Sequence, residues 1–538
     1  MNIKKCTVFF LSLTLLNLYC APIFAADNDK KIIIQITLDQ FKADYLKWYR
    51  PAFSGGLKRV LENGTVISEG LVDHALTNSF PGHLSLSSGM YPAQHGFPAN
   101  EWIIETEDGW GFSDGISDKT TWIAGDKERT SVSPNNILVP TIADWVKSND
   151  NGAKAIALSS GTAISLAYGG KKADAIYWLD GATGQFVTSS YYAEHNPRWL
   201  DDFNAGELND FKMNIWQNQI PIKYRSLAEP DRSEYENFGV NFTFPHNFED
   251  EKGENLDMSD QEKLNRWFYD TPLADEALFA MAKATMINEE LGQDDSVDYL
   301  AVIINSTDNV GHAYGGRSQE ILDTLIRIDL ALGSFLTFLD DTIGEDAYVI
   351  AISGDHGSPD VIEYQQQKFG QGRRISQAQI DELLDAVEAE ASTTTKTGNE
   401  LISSLEAIIE SYDFVYDAIT EQEIDGVKLS QNPYMEAFRR NWVKGRIPDF
   451  PLWGTGQRDH HPARYGIVVL FHENTIFHAA PVVHGSPYSY DRAVPIVFYG
   501  SGLGNIEKSA RTIDVAPTLA AIAGIKFPTG LDGKVLLD

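Results

Sequence analysis

The chain has 538 residues, 43% of them apolar and 22% charged, which gives enough apolar side chain for a large core and excludes disordered and fibrous classes. Its 76 acidic residues against 43 basic ones leave a formal charge of −33. That charge disfavours a nonspecific grip on nucleic-acid duplexes or anionic lipid.

Taken in chain order, the first feature is an export signal. Lys4 and Lys5 precede an apolar run from Val8 to Leu18, and Ile23-Phe24-Ala25 closes it with a small residue. Residues 1–25 therefore read as a signal peptide cleaved after Ala25, and 26–538 as the mature chain, periplasmic or secreted. Both cysteines, Cys6 and Cys20, fall inside the signal, so the mature chain has neither thiol nor disulfide. Tyr19 is bulky where a lipid-attachment cysteine follows small residues, which argues against a lipoprotein. No later run reaches the ~20 apolar residues of a membrane span.

Short apolar runs then recur, several of them ending at a residue able to do chemistry. Lys31–Leu38 ends at Asp39, Asp298–Asn305 leads to Asp308, and Ala347–Ser353 leads to Asp355. Further strand candidates are Lys154–Leu158, Tyr465–Phe471 and Val494–Tyr499, and helical spacing is clearest in Ser318–Leu339 and Asp514–Ala523. The alternation predicts a layered α/β core with a mostly parallel central sheet, whose ligands sit beyond the strands' carboxyl ends. Residues 185–275 and 365–456 break the rhythm and read as cap insertions.

Four separated segments combine carboxylates with imidazoles. Asp308 and His312 lie four residues apart, Asp355-His356 is flanked by Gly354 and Gly357, Asp39 ends the first strand, and His484 precedes Gly485. Taken singly, a strand-end Asp is more often a helix cap and Asp-His-Gly a turn. Together the mixed oxygen and nitrogen set suits zinc, and two ions close together clamp a displacement at phosphorus. Ser79, in Thr77-Asn78-Ser79-Phe80-Pro81-Gly82-His83, reads locally as an N-cap ahead of a helix with an early proline. A phosphoryl group held at that helix end meets free N–H donors, so the cap and a nucleophile are compatible.

The order Thr-Leu-Asp39, Ser79-Phe-Pro-Gly-His83, Tyr91-Pro-x-x-His95-Gly, Asn100, Asp308-x-x-x-His312, Gly-Asp355-His356-Gly and His484-Gly resembles the type I phosphodiesterase/nucleotide pyrophosphatase branch of the alkaline phosphatase superfamily. Arg511–Leu519 resembles that superfamily's last core helix. The resemblance implies an alkaline-phosphatase-like fold and two Zn2+ ions per chain, one held by Asp308, His312 and His484, the other by Asp39, Asp355 and His356. It further implies that the Ser79 oxygen, on the second ion, is the nucleophile of a covalent mechanism. Asn100 becomes the side-chain donor to a nonbridging phosphoryl oxygen beside the Phe80 backbone N–H, and the Phe80 ring is either a stacking face for a nucleobase or an ordinary core side chain. The nucleophile is Thr in most of the branch and Ser here.

Related bacterial monoesterases carry a Lys-x-Arg pair whose cations grip a monoester dianion. The corresponding segment here reads Ser159-Ser160-Gly161-Thr162. Cleavage of a small phosphodiester or nucleotide pyrophosphate is therefore the favoured expectation, with alkaline phosphomonoesterase as the alternative. A sulfatase is remote because His83 stands where the sulfatase signature has Arg, and a catalytically silent binding protein is remote because nucleophile and ligands are complete.

Overall fold

The computed structural model describes residues 30–537 except 107–108, 254–256, 453–454, 456–458 and 478–479; the segment read as a signal, 1–25, lies outside the described residues. Strand β1 (Ile32–Leu38) is a run dominated by Ile, all seven residues of which are buried, as a strand covered on both faces requires. It sits within an eight-stranded sheet containing β2 (Thr65–Leu71), β3 (Ala155–Ser159), β4 (Ala175–Asp180), β5 (Gln185–Val187), β6 (Asp298–Ile304), β7 (Tyr348–Gly354) and β8 (Ala493–Gly500). The spatial order is β2-β8-β7-β1-β6-β3-β4-β5. Strands β7, β1, β6, β3 and β4 run parallel, whereas β8 is antiparallel to both β7 and β2, and β5 to β4.

The period of two sends alternate β1 side chains to opposite faces. Ile32, Ile34, Ile36 and Leu38 join one core with helices α2 (Leu273–Asn288) and α4 (Gln319–Thr342), and Ile33 joins a second core with α1 (Ser79–Ser88) and α5 (Val515–Ile522). Register sets Leu38 beside Ile304 and Gly354, so the chain leaves three adjacent strands at one edge of the sheet. Beyond β6 it enters α3 (Ser306–Tyr314) at once.

Two sequence expectations shift. The apolar run at 465–471 forms a strand, Ile467–Phe471, that pairs antiparallel with Val415–Thr420 and not with the central sheet. It shares a separate core with helix Gln377–Thr393, whose Ile380, Leu383, Leu384 and Val387 repeat at helical spacing. The segment from 185 also begins inside the sheet, because Phe186 and Val187 are buried in β5. Among the described residues no helix is long and apolar enough to cross a membrane.

Candidate functional site

The strand ends and two helix starts bring the sequence-selected residues together in two clusters. Asp39, Asp355 and His356 form one buried group, and Asp308, His312 and His484 a second, partly open one, each with its ligand atoms within 4.8 Å of one another. In the first, His356 Nε2 lies 3.3 Å from Asp39 Oδ1 and 3.3 Å from Asp355 Oδ2. In the second, Asp308 Oδ1 is 3.2 Å from His312 Nε2 and 3.5 Å from His484 Nε2. The His356 and His484 rings stack at 3.7 Å between centroids, joining the clusters, and His312 lies 5.0 Å from His484 on the far side.

All three imidazoles are oriented the same way. His356 Nδ1 donates to Gly357 O at 3.0 Å, His312 Nδ1 to Val482 O at 2.7 Å and His484 Nδ1 to Thr77 O at 2.8 Å. A carbonyl only accepts, so each bond fixes the proton on Nδ1 and leaves the Nε2 lone pair facing the carboxylates, the arrangement metal-ligating histidines use. Buried Asp39 Oδ1 and Asp355 Oδ2 have no hydrogen-bond donor. Burial and the Asp39 charge push the Asp355 carboxyl well above the usual range. For Asp39, burial and Asp308 raise the pKa, but the neighbouring His356 and His83 rings outweigh them and hold it low. A surplus of buried carboxylate oxygen beside converging imidazole lone pairs is a donor set that fits a cation, and its N/O mixture fits zinc.

Ser79 is the first helical residue of α1, with Asn78 in the cap position, so the expected N-cap moves back by one residue. The Ser79 side chain is partly exposed, and its Oγ lies 3.3 Å from His356 Nε2. Asn100 is exposed, and its Oδ1 accepts the Phe80 N–H at 2.8 Å. That bond turns the Asn100 amide NH2 away from Phe80 while occupying the Phe80 N–H, so the donor pair expected from sequence reduces to the Asn100 side chain. The Phe80 ring takes the core alternative. It is 5% exposed and packed on Phe97 at 4.6 Å, in the core beneath the site rather than facing it.

Two contributors escaped the sequence reading. His83, one turn after Ser79 on α1, is fully buried with Nε2 at 3.3 Å from both Asp39 Oδ2 and Asp355 Oδ2 and Nδ1 at 2.9 Å from the Tyr168 hydroxyl. Its spacing from Ser79 was visible, but its role as a bridge between two carboxylates was not. Gln40, in left-handed backbone at φ 60°, donates its N–H to Asp355 Oδ1 at 3.1 Å and its amide to Asp308 Oδ1 at 2.7 Å. Room for these contacts comes from glycines: a Cβ on Gly311 would lie 2.1 Å from Gln40 Oε1, and one on Gly82 2.7 Å from the Asp355 carbonyl.

Ser160, in the segment read from sequence as lacking the Lys-x-Arg cations, is buried. Its hydroxyl donates to Asp275 Oδ1 at 2.5 Å and accepts the Asn305 N–H at 2.9 Å. The other Asp275 oxygen accepts from the Ser306 hydroxyl. This network seats the start of α3. Thr162 is exposed and neutral.

Comparison with known proteins shows the family and the fold. The family model for type I phosphodiesterase / nucleotide pyrophosphatase matches residues 33–468. Alkaline phosphatase PhoV of Synechococcus elongatus is 29% identical over 94% of this chain and 92% of its own length. A Myroides odoratus protein named calcium-transporting ATPase is 29% identical over 94% of each chain. Alkaline phosphatase PafA of Elizabethkingia meningoseptica is 27% identical over 94% of each. The crystal structure of wild type PafA has the same fold, with a TM-score of 0.80 at 22% identity over 94% of this chain and 98% of that one.

Proposed function

Given that the chain belongs to the type I phosphodiesterase / nucleotide pyrophosphatase family and is a phosphoric ester hydrolase, we propose that it is an exported two-zinc enzyme that cleaves small phosphate esters through a covalent Ser79 intermediate. The observation that carries this reading is the pair of clusters with three Nδ1-pinned imidazoles and the Ser79 hydroxyl 3.3 Å from one of them. Asp39, Asp355 and His356 would hold one ion and Asp308, His312 and His484 the other. Zinc bound there supplies charge neutralisation at the phosphoryl group.

The chain's own groups do the rest. Ser79 Oγ, at the start of α1, forms its bond to phosphorus while the bond to the leaving oxygen breaks, and water later displaces the serine oxygen. The Asn100 amide, held by Phe80 N–H, presents N–H donors to a nonbridging oxygen. His83 and Gln40 keep the Asp39, Asp355 and Asp308 carboxylates oriented. Export is supported by the charged and apolar pattern of residues 1–25.

Among esters, diesters and pyrophosphates are favoured, because Ser160 and Thr162 put no cation where a dianion would need one. The names of PhoV and PafA, similar over nearly the whole chain, favour the second reading, an alkaline phosphomonoesterase. The test compares zinc-loaded parent and Ser79→Ala protein on an aryl phosphate monoester and the matching diester. Loss of at least about a thousandfold in kcat in the variant supports the serine mechanism. Equal rates in parent and variant overturn it, and a large monoester preference in the parent selects the second reading.

A further inference from the structure

A cleft of about 560 Å³ opens beside His312. In-line displacement at phosphorus places the attacking and leaving oxygens on opposite sides. Ser79 lies against His356, and the ring sequence His356, His484, His312 runs from it toward the cleft. A leaving group departing opposite Ser79 therefore points toward His312 and the cleft beyond.

The cleft's lining comes from α3, from the segment between residues 216 and 271, and from Ala480. Phe238 stands on its rim with 61% of its surface exposed, although a large ring gains nothing from water. The backbone holds it there at some cost: Asn237 and Phe238 are consecutive left-handed residues, with φ of 41° and 58°. Half-buried Trp267 lies in the same wall, fixed by an Nε1 bond to Glu251 at 2.9 Å. Lys252, Lys263 and Arg266 line the cleft against Glu251 and Asp270, a local surplus of cations in a chain of net charge −33. Arg266 spends part of its charge on Asp270 at 2.8 Å and Lys252 on Glu249 at 3.1 Å, while Lys263 reaches the Gly253 carbonyl at 3.5 Å.

We propose that this cleft receives the ester's leaving group and selects a planar aromatic one, with Phe238 and Trp267 as its stacking faces. The proposal rests on the Ser79 reading above and adds the leaving-group class. As the Ser79 Oγ–phosphorus bond forms, the phosphorus–oxygen bond to the leaving group breaks. The electron pair stays on the leaving oxygen, which takes up a proton from solvent as the serine proton is released there, and the ring departs as a phenol or alcohol.

Zinc-loaded parent, Phe238→Ala and Phe238→Tyr proteins test it in two ways. Binding of 4-methylumbelliferone, a fluorescent aromatic product, is read by anisotropy, and the ratio of kcat/KM for benzyl phosphate to that for methyl phosphate is read kinetically. These two alcohols are similar as leaving groups, so the ratio reports recognition. Phe238→Ala should weaken probe binding and lower the ratio about three- to tenfold, leave methyl phosphate unchanged, and be rescued by Phe238→Tyr. Because Phe238 is exposed, its loss leaves the core intact. Identical binding and an identical ratio in Phe238→Ala overturn the proposal. If parent protein hydrolyses neither these monoesters nor an aryl phosphate diester, yet the probe binds and depends on Phe238, the serine-hydrolase reading fails while the ring-binding cleft stands.

Discussion

His83 shows how much a single side chain can matter without being a ligand. It contacts both carboxylates of the buried cluster and is itself fixed by Tyr168, whose hydroxyl meets Thr37 at 2.7 Å. Replacing it as His83→Phe keeps the volume but leaves two buried carboxylates without their common partner. Zinc affinity, measured by competition with a chromophoric chelator, should fall about 10–100-fold. Unchanged affinity would reduce His83 to packing. Asn100→Ala should cost about a hundredfold in kcat/KM for either ester class, with little change in melting temperature, if its amide donates to the transferred group. At this scale the chain was partly legible. Asp39, Asp308, His312, Asp355, His356 and His484 stood out because their chemistry and order are written locally, and the structure gathers them. The choice between the two readings of the Phe80 ring was not legible, because Phe97, on which it packs, lies in another segment and burial is a property of the pair. Gln40 was invisible for a similar reason: a glutamine after a strand acquires meaning only when Asp308 arrives from far along the chain.

The α3 start is the element on which the partly open cluster depends, since Asp308 and His312 both ride on it. Asp275, from α2, accepts from Ser160 and Ser306 and so ties β3, α2 and α3 together. Burial pushes its carboxyl up to about 6, against the hydrogen bonds that favour ionisation. The folded value thus lies above the unfolded one of 3.8, so Asp275 contributes its full stability only below that unfolded value and loses it as pH rises through about 6. Asp275→Asn, which does not ionise, should escape this loss. Its melting temperature relative to the parent should rise between pH 5 and pH 8, and a gap constant with pH would show that Asp275 is already ionised in the folded chain at pH 5, its carboxyl not raised. Elements were the most legible scale. Runs such as Ile32–Leu38 carry their own burial signature, and the strand at 348–354 begins one residue later than expected. The pairing of 467–471 with 415–420 was missed because strand partnership is set by register between distant segments, which no local window contains.

Across the whole molecule, the two clusters draw on segments near residues 39, 308–312, 355–356 and 484, which meet only in the folded chain. Metal bound there stabilises the fold by linkage, by about 4 kcal/mol when free metal exceeds its Kd a thousandfold. Chelation followed by scanning calorimetry should lower the melting temperature by several degrees and abolish turnover, with both restored by zinc. Activity that survives verified metal removal would end the two-zinc account. The bond from His484 Nδ1 to the Thr77 carbonyl spans 407 residues of sequence. It links the segment that presents the nucleophile to the last ligand the ribosome makes. A nascent or truncated chain stopping short of residue 484 contains the serine and every other proposed ligand, yet lacks the ring that closes both the open cluster and this tie. Under the proposed two-zinc account, hydrolytic competence is withheld until synthesis is nearly complete, and appearance of activity should serve as a late timestamp on maturation.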